Sequence, residues 1–262
     1  MAGRLAGKVA IVTGAGARAE GIGNGKAAAM LFAREGARVL CADLVLERAQ
    51  ETVAAIAQEG GKAAAFAADV SRSADCKAMV AAAVEHFGRL DVLHNNVGFG
   101  APFQALEDVT EEAWDQVMAV NVRGMVLSAQ AAAPELKAAG GGSIINISSI
   151  AALRSLPGPA ANSTAYATSK AGVIGLTINL AGQLAPHRIR VNCIVPGQVY
   201  TPMVAWRLTP DERNTRTMQG LIQDEGTGWD IGWAAVYFAS DESRWVTGQA
   251  LTVDAGLTLT TR

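Results

Sequence analysis

The chain has 262 residues, half of them apolar, and a formal net charge of −2. This length can bury the core of one large domain, and the small charge gives no basic field for nucleic acid or an anionic membrane surface. We therefore expect small-molecule partners. No apolar run reaches the roughly 18 residues of a membrane span, and no signal-peptide segment precedes the first predicted strand, so a cytoplasmic location is predicted.

The cysteines and histidines are too scattered to indicate a metal site. Three of each are present, with neither Cys-x-x-Cys pairs nor clusters with carboxylates. Cys41 and Cys193 lie in apolar, strand-like runs, which is typical of buried thiols. The sequence therefore predicts no metal centre.

A strand, a glycine-rich turn and a helix open the chain. Lys8 to Thr13 is a short apolar run, and an alanine-rich helix is predicted from Ala27 to Glu35. Four glycines, Gly14, Gly16, Gly21 and Gly23, fall within ten residues after this run and are followed by Asn24-Gly25-Lys26. Glycines let the backbone approach a phosphate, and a helix N-terminus offers unpaired N–H groups. Gly21 and Gly23 are favoured as the pair at the helix start, because the competing register places glycines inside the first turns at about 1 kcal/mol each.

A carboxylate follows the second predicted strand, Ala37 to Ala42. Asp43 stands twenty residues beyond Gly23, where an acidic side chain can bind the adenosine ribose of a dinucleotide and repel a 2′-phosphate. This favours NAD over NADP, although Arg18 in the glycine loop could supply a compensating charge. Asp43 could instead cap the helix predicted from Val45 to Glu59.

Strand and helix signals then alternate along the rest of the chain. Further strands are predicted over Ala63 to Ala68, Asp91 to His94, Ser143 to Ile147, Arg188 to Val195 and Ala250 to Val253, with helices over Ala74 to His86, Glu111 to Leu136, a segment from Tyr166 to Ala185, and Asp230 to Ala239. This alternation predicts a single α/β domain over 1–262 with a doubly wound parallel sheet. Ligands bind such sheets beyond the carboxyl ends of the strands, where Asp43, Asp69 and Asn95 fall.

Tyr166 and Lys170 are the predicted centre of the chemistry. Four residues apart on a helix, they share one face, and a nearby ammonium lowers the pKa of a phenol from about 10 towards working pH. Tyr166 is thus a candidate general acid/base. Asn121, in an otherwise apolar helical stretch, needs buried partners and is either a structural bridge or part of a polar relay.

Two segments indicate features around this centre. Val199 to Gly228 loses its periodicity, which predicts a substrate lid over 199–228. Ala171 to Ala185 is small or apolar nearly all round, so one face can pack on the sheet while the other meets a second subunit of a homo-oligomer.

The sequence resembles the short-chain dehydrogenase/reductase family along essentially its whole length, in the roughly 250-residue branch with a Rossmann-like fold. The matching motifs are Thr13-Gly14 with Gly21-Ile22-Gly23, Asp69-Val70, Asn95-Asn96-Val97-Gly98, Asn121, Ser148-Ser149, Tyr166 with Lys170, Pro196-Gly197 with Thr201, and Thr247-Gly248 with Val253-Asp254. Three departures are the six residues Ala15 to Glu20 inside the glycine motif, Val97 in place of alanine, and a predicted insertion within 154–164 at the substrate entrance.

The resemblance implies hydride transfer between NAD(H) and a secondary alcohol or ketone. It implies that Tyr166 is the general acid/base and that Lys170 lowers the Tyr166 pKa and binds the nicotinamide ribose. It also implies that Ser149, in preference to Ser148, hydrogen-bonds the substrate oxygen. Asn121 would hold a water molecule. The implied cofactor-binding residues are Gly14, Gly21, Ile22, Gly23, Asp43, Asp69, Val70, Asn95, Tyr166, Lys170, Pro196, Gly197, Val199 and Thr201. The family also implies a homotetramer.

Three questions stay open at this point. The apolar residues Phe99, Leu153, Leu156, Met203, Trp206 and Leu208 would border the pocket and favour an apolar or ring-bearing substrate, or they pack a lid. An NADP-dependent ketoreductase that uses Arg18 is the first alternative. A non-catalytic nucleotide-binding protein on the same fold is the second, because fold alone does not establish activity.

Overall fold

A seven-stranded parallel sheet forms the centre of the molecule. The computed structural model describes residues 3–100, 104–155, 163–205 and 208–260. The strands are β1 (Val9–Thr13), β2 (Arg38–Asp43), β3 (Lys62–Ala67), β4 (Val92–Asn95), β5 (Gly142–Ile147), β6 (Ile189–Pro196) and β7 (Ala250–Val253). Their order in the sheet is β3-β2-β1-β4-β5-β6-β7, and every neighbouring pair is parallel. The predicted doubly wound α/β domain is confirmed.

Helices cover both faces of the sheet. The longer ones are α1 (Asn24–Arg34), α2 (Leu46–Gln58), α3 (Ser73–Phe87), α4 (Glu111–Met118), α5 (Gly124–Ala138) and α6 (Thr164–Leu184). Three more follow, α7 (Pro202–Ala205), α8 (Pro210–Thr217) and α9 (Gly228–Ala239). One apolar core joins the sheet to α1, α2 and α9, and a second joins it to α3, α5 and α6. The inner strands are mostly apolar on both sides because both sides are buried, whereas the edge strands β3 and β7 are partly exposed.

The predicted helix Glu111 to Leu136 is interrupted. A π-helical turn, Ala119–Arg123, separates α4 from α5 and contains Asn121. One extra residue per turn rotates the side chains that follow, and such turns are frequent at functional sites. The periodicity of an apolar stretch does not reveal this single-residue insertion.

The segment 199–228 contains more regular structure than the sequence analysis assigned to it. Helices α7 and α8 lie within it, so the description as irregular was wrong. Thr209 and Glu212 form a capping box around Pro210 at the start of α8, a start signal that is readable in the sequence. The predicted pocket residues Leu156 and Trp206, and most of the predicted insertion, lie outside the described residues.

The helices and side chains that the structure describes include neither a membrane span nor a cluster of metal ligands. None of these helices is long and apolar enough to cross a membrane. Among the described residues, no three His, Cys, Asp or Glu side chains lie close enough together to hold a metal ion. Cys41 and Cys193 are buried thiols, as predicted, and burial raises the pKa of Cys41 to about 12 and that of Cys193 to about 11.

Candidate active site

The glycine turn after β1 lies against the start of α1. Gly14 has φ of +63°, and a Cβ on Gly25 would lie 2.0 Å from the Gly14 carbonyl oxygen, so only glycine fits this close approach. Gly23 is the N-cap of α1, as the favoured register predicts, and provides no side-chain cap. A Cβ there would meet nothing within 4 Å. Open space therefore lies beside the N-terminus of α1, where the unpaired N–H groups of a helix can bind a phosphate.

An unpaired acceptor marks the same helix terminus. Asn24 Oδ1 is buried and has no hydrogen-bond partner in the described part of the chain. A buried orphan acceptor is costly unless a ligand or water completes it. Together with the open cradle at Gly23, this residue fits a bound dinucleotide, whose ribose hydroxyls could donate the missing hydrogen bond to Oδ1.

Asn96 connects the glycine turn to the loop after β4. Its Nδ2 donates to the carbonyl oxygens of Thr13 (3.2 Å) and Gly14 (3.0 Å), and its main-chain N–H donates to Thr13 Oγ1 (3.1 Å). Asn96 was quoted in a motif but was not among the predicted site residues. Its neighbour Asn95 is 2% exposed, and its amide donates to Asn146 rather than facing the cleft, so its predicted cofactor contact stays a prediction.

The Asp43 carboxylate lies at the end of β2, beside the glycine loop. Its Oδ2 accepts from the Gly16 N–H (3.1 Å) and its Oδ1 from the Val45 N–H (3.1 Å). Val45, not Asp43, is the N-cap of α2, so the capping alternative is wrong. Arg48 was missed by the sequence analysis: a Cβ on Gly16 would lie 2.4 Å from its Cβ, whereas Arg18 is exposed.

Asp69 and Val70, two of the predicted cofactor-binding residues, are held by local contacts. Asp69 Oδ1 accepts from the main-chain N–H (2.9 Å) and the hydroxyl (2.7 Å) of Ser71. Val70 is 6% exposed and packs against Gly124, where a Cβ would lie 3.0 Å from Val70 Cγ2. Both residues occupy the carboxyl edge of the sheet, on the same side as Asp43.

Lys170 is buried beneath the candidate catalytic tyrosine. It is 2% exposed, and its Nζ donates to the Ile147 carbonyl oxygen (2.8 Å). The Nζ lies 5.6 Å from the centroid of the Tyr166 ring, and a Cβ on Gly98 would lie 3.4 Å from it. Burial lowers the pKa of Lys170 to about 8, so the ammonium still predominates at neutral pH. The structure thus brings together the two residues that the sequence placed at the centre.

The side chain of Asn121 ties the loop after β4 to α6. Its Oδ1 accepts from the Phe99 N–H (2.7 Å), and its Nδ2 donates to the Phe99 carbonyl oxygen (2.9 Å) and to Ser169 Oγ (2.9 Å). The Ser169 hydroxyl in turn donates to the Tyr166 carbonyl oxygen (2.7 Å). Asn121 is therefore a structural bridge that reaches the catalytic helix, and the water it was predicted to hold stays a prediction.

Ser148 and Ser149 have different surroundings. The Ser148 hydroxyl is 2% exposed and donates to the Lys170 carbonyl oxygen (2.7 Å). Ser149 is half-buried, and its Oγ accepts from the Ala151 N–H (3.2 Å). An accepting hydroxyl retains its own proton for donation to a second group. This geometry favours Ser149 over Ser148 as the hydroxyl that meets a substrate oxygen.

The loop after β6 approaches the C-terminal segment. A Cβ on Gly197 would lie 2.5 Å from Asp254 Cβ, and Pro196 is buried at the end of its strand. Thr201 is 8% exposed, and Val199 is half-buried. A cavity of about 880 Å³ opens next to this loop, lined by Arg154, Gln198, Asn214, Met218, Leu221 and Leu257 among others.

A family model, curated proteins and solved structures match nearly the whole chain. The family model described as Enoyl-(Acyl carrier protein) reductase matches residues 16–258. The chain belongs to the short-chain dehydrogenase/reductase family. As a family member it is 40% identical over 256 residues to the 2,5-dichloro-2,5-cyclohexadiene-1,4-diol dehydrogenase of Sphingobium indicum, and the match covers 98% of both chains.

Two solved short-chain dehydrogenases share the fold throughout. A 7α-hydroxysteroid dehydrogenase, solved with NADH and 7-oxo glycochenodeoxycholic acid, is 36% identical with a TM-score of 0.89 and covers 97% of this chain and 95% of that one. The carveol dehydrogenase of Mycobacterium avium, in complex with NAD, is 32% identical with a TM-score of 0.89 and covers 98% of this chain and 100% of that one. The protein is an oxidoreductase that acts on the CH–OH groups of secondary alcohols or on the corresponding ketones.

Proposed function

We propose that this short-chain dehydrogenase uses NAD(H) and that Tyr166 is its general acid/base. The observation that carries the cofactor preference is the Asp43 carboxylate, fixed by the Gly16 and Val45 N–H groups beside the glycine loop. A carboxylate has lone pairs beyond those two, with which it can accept the ribose hydroxyls. Its charge disfavours the 2′-phosphate of NADP. The two solved relatives that contain NADH or NAD support the same preference.

The chain's own residues handle the proton at the substrate oxygen. Tyr166 accepts it from the alcohol during oxidation and returns it to the ketone oxygen during reduction. Lys170, buried beside the ring, stabilises the phenolate and binds the nicotinamide ribose. Ser149 donates a hydrogen bond to the substrate oxygen. A nicotinamide cofactor held beside Lys170 would supply the acceptor or donor of the hydride for the carbinol carbon.

We assign the segment 199–228 as the substrate lid over the domain 1–262. Helices α7 and α8 belong to it, and α8 borders the cavity beside Gln198. The described pocket candidates Phe99, Leu153, Met203 and Leu208 are all at least partly exposed, which suits an apolar or ring-bearing substrate. Initial assays should therefore test cyclohexanol, 1,4-cyclohexanediol and 1-phenylethanol.

Calorimetric titration with NADH and with NADPH tests the cofactor assignment without a known substrate. We expect NADH to bind at least about tenfold more tightly, which corresponds to about 1.4 kcal/mol. The Asp43→Asn variant keeps the side chain's size and should lose most of that preference. Tighter binding of NADPH by the parent protein would contradict the assignment.

An NADP-dependent ketoreductase remains the second candidate, with Arg48 rather than Arg18 as the residue that would bind the 2′-phosphate. The main support is Arg48, whose side chain starts against Gly16 and the Asp43 carboxylate, where a 2′-phosphate would lie. An Arg48→Ala variant distinguishes the two cases. It should weaken NADPH binding strongly if Arg48 binds the phosphate, and it should leave NADH binding nearly unchanged under the primary proposal.

We also propose a homo-oligomer, with a tetramer as the expected state. Ala171, Gly175 and Ile178 lie on the exposed face of α6, with Ile178 at 59% exposure, and Trp245 is 89% exposed. Exposed apolar side chains on one helix face favour burial against another subunit. Light scattering with Ile178→Glu tests this, since a charge there should lower the molar mass of the assembly. The cytoplasmic location stays a prediction from the sequence.

A further inference from the structure

Helix α6 is attached to the sheet by hydrogen bonds from three consecutive residues of the β5 segment. Asn146 Nδ2 donates to Thr177 Oγ1 (3.0 Å), the Ile147 carbonyl accepts from Lys170 Nζ (2.8 Å), and the Ser148 hydroxyl donates to the Lys170 carbonyl oxygen (2.7 Å). Asn146, Ser148 and Thr177 are 0%, 2% and 1% exposed. The helix that contains Tyr166 and Lys170 is thus bound to one strand at fixed points.

The Asn146 amide is itself held from the other side. Its Oδ1 accepts from Asn95 Nδ2 (3.0 Å), and the two asparagines are direct partners in the β4–β5 register. The Thr177 hydroxyl accepts from Asn146 and donates to the Val173 carbonyl oxygen (2.8 Å). Every member of this chain of hydrogen bonds therefore has one defined orientation, which is how a buried polar network specifies a unique arrangement.

Apolar packing alone would position α6 loosely along its axis. The helix is rich in alanine, glycine and other small residues, and the hydrophobic effect has no preferred direction. A hydrogen bond, by contrast, weakens with small changes of distance and angle. Under the proposed function, the Lys170 ammonium must bind the nicotinamide ribose as well as the Ile147 carbonyl oxygen, so this hydrogen bond depends on the cofactor. The bonds made by Thr177 and Ser148 are independent of the cofactor.

We propose that Asn146 and Thr177 are positioning residues for the reaction: their hydrogen bond fixes the axial position of α6 and thereby places the Tyr166 phenol and the Lys170 ammonium at the cleft. The hydrogen bonds of these two side chains run to Asn95, to the Val173 carbonyl oxygen and to each other. Thr177 lies about two helical turns from Lys170 on the same face, and Asn146 acts on the helix through it. The inference rests on the proposed function for the roles of Tyr166 and Lys170.

The test compares Thr177→Val, which keeps the shape but removes the hydroxyl, with Thr177→Ser, which keeps the hydroxyl. The first readout needs no substrate: the chain has three tyrosines, and the ultraviolet difference spectrum of tyrosinate, with Tyr166→Phe as the reference, follows the titration of Tyr166. We expect a shifted Tyr166 midpoint in Thr177→Val and the parental midpoint in Thr177→Ser.

The second readout is turnover of the best alcohol in the panel with NAD. A displacement of about 1 Å in a catalytic group can lower the rate about a hundredfold, so we expect kcat of Thr177→Val to fall by about tenfold or more. KM for NAD should change less than threefold, which is our threshold for separating the chemical step from cofactor binding. Thr177→Ser should recover most of kcat.

Ser143→Ala is the matched control. It removes a buried hydroxyl from the same strand, where Ser143 donates to the Phe238 carbonyl oxygen (2.8 Å) on the side of α9. It should lower the melting temperature without changing the Tyr166 titration or kcat. If Thr177→Val fails to fold, Thr177→Ala provides the same loss of hydroxyl.

Two outcomes would overturn the inference. One is a Thr177→Val protein with lowered stability but an unchanged Tyr166 titration and unchanged kcat, since that is a purely structural role. The other is a Thr177→Ser protein as defective as Thr177→Val. Retained turnover in Tyr166→Phe would instead overturn the proposed function.

Discussion

The two walls of the cleft are built from different interactions. The wall formed by β4, β5 and α6 contains uncharged, fully buried hydrogen bonds among Asn95, Asn146 and Thr177. The proposed lid at 199–228 contains instead a partly exposed ion pair between Arg213 and Glu225. The Arg213 guanidinium also lies 3.8 Å from the centroid of the Tyr200 ring. Buried networks are rigid because breaking them is costly, whereas exposed ion pairs contribute little and are screened by salt. We infer a fixed catalytic wall and a movable lid.

The largest expected effect lies at the fixed wall. The Tyr166→Phe variant should bind NADH as the parent does but lose turnover by about 10²-fold to 10⁴-fold, the usual contribution of a positioned acid/base. Steady-state kinetics and calorimetry together measure this. Retained activity would show that another group transfers the proton, and loss of NADH binding would show that the Tyr166 hydroxyl is needed for binding rather than for proton transfer alone.

Acid should destabilise the fixed wall through His94. This β4 residue is 0% exposed, and neither ring nitrogen has a hydrogen-bond partner within the described residues. Burial lowers its pKa from 6.5 to about 3. The unfolded chain therefore binds more protons between these values, and the free energy of unfolding falls as pH drops from about 6.5 towards 3, with no contribution above 6.5.

The His94→Leu variant should remove this dependence. Between pH 7.5 and 4.5 the parent should lose about 2 to 3 kcal/mol of unfolding free energy through His94, because each unit of pKa shift corresponds to 1.36 kcal/mol. The variant should not show this loss. Urea unfolding at the two pH values measures it, with the exposed His187→Gln as the control. An equally steep loss of stability in His94→Leu would assign the acid sensitivity to other groups.

Sequence patterns predicted the fixed wall better than the lid, for physical reasons. Buried parallel strands are continuous apolar runs, so β1 to β7 and the meeting of Tyr166 with Lys170 were predicted. The hydrogen bond between Asn146 and Thr177 joins residues 31 positions apart, and no local pattern encodes such a pair. Arg48 was missed for the same reason, because its approach to Gly16 depends on how α2 packs.

In the segment 199–228, by contrast, the sequence contains a local helix-start signal that the prediction missed. Thr209, Pro210 and Glu212 form a recognisable helix start, yet the mixture of apolar and basic residues that follows hides the helical period of α8. The π-helical turn at Asn121 is different again, since the extra residue is accommodated by the packing of α4 and α5 rather than by a distinctive sequence.

The smallest expected effect lies at the lid. Tyr200 N–H donates to the Gly226 carbonyl oxygen (2.7 Å), and Tyr200 pairs with Thr227, so the two ends of the proposed lid meet. Its middle is attached as well, because the Leu221 and Ile222 N–H groups donate to the Ala255 carbonyl oxygen (2.8 and 3.1 Å). Arg213 binds Tyr200 and Glu225 at that base. The Arg213→Ala variant should therefore loosen the lid, raise KM for the alcohol a few-fold and leave the melting temperature unchanged.

Salt provides the second arm of the lid experiment. Increasing ionic strength screens the Arg213 and Glu225 charges, so KM of the parent should rise with salt while KM of Arg213→Ala stays nearly constant. Arg244→Ala, an exposed arginine outside the lid, is the matched control and should retain the parental salt dependence. Equal salt dependence in parent and Arg213→Ala would mean that apolar contacts, not the ion pair, hold the proposed lid. The two walls would then differ in solvent exposure but not in the use of charged contacts.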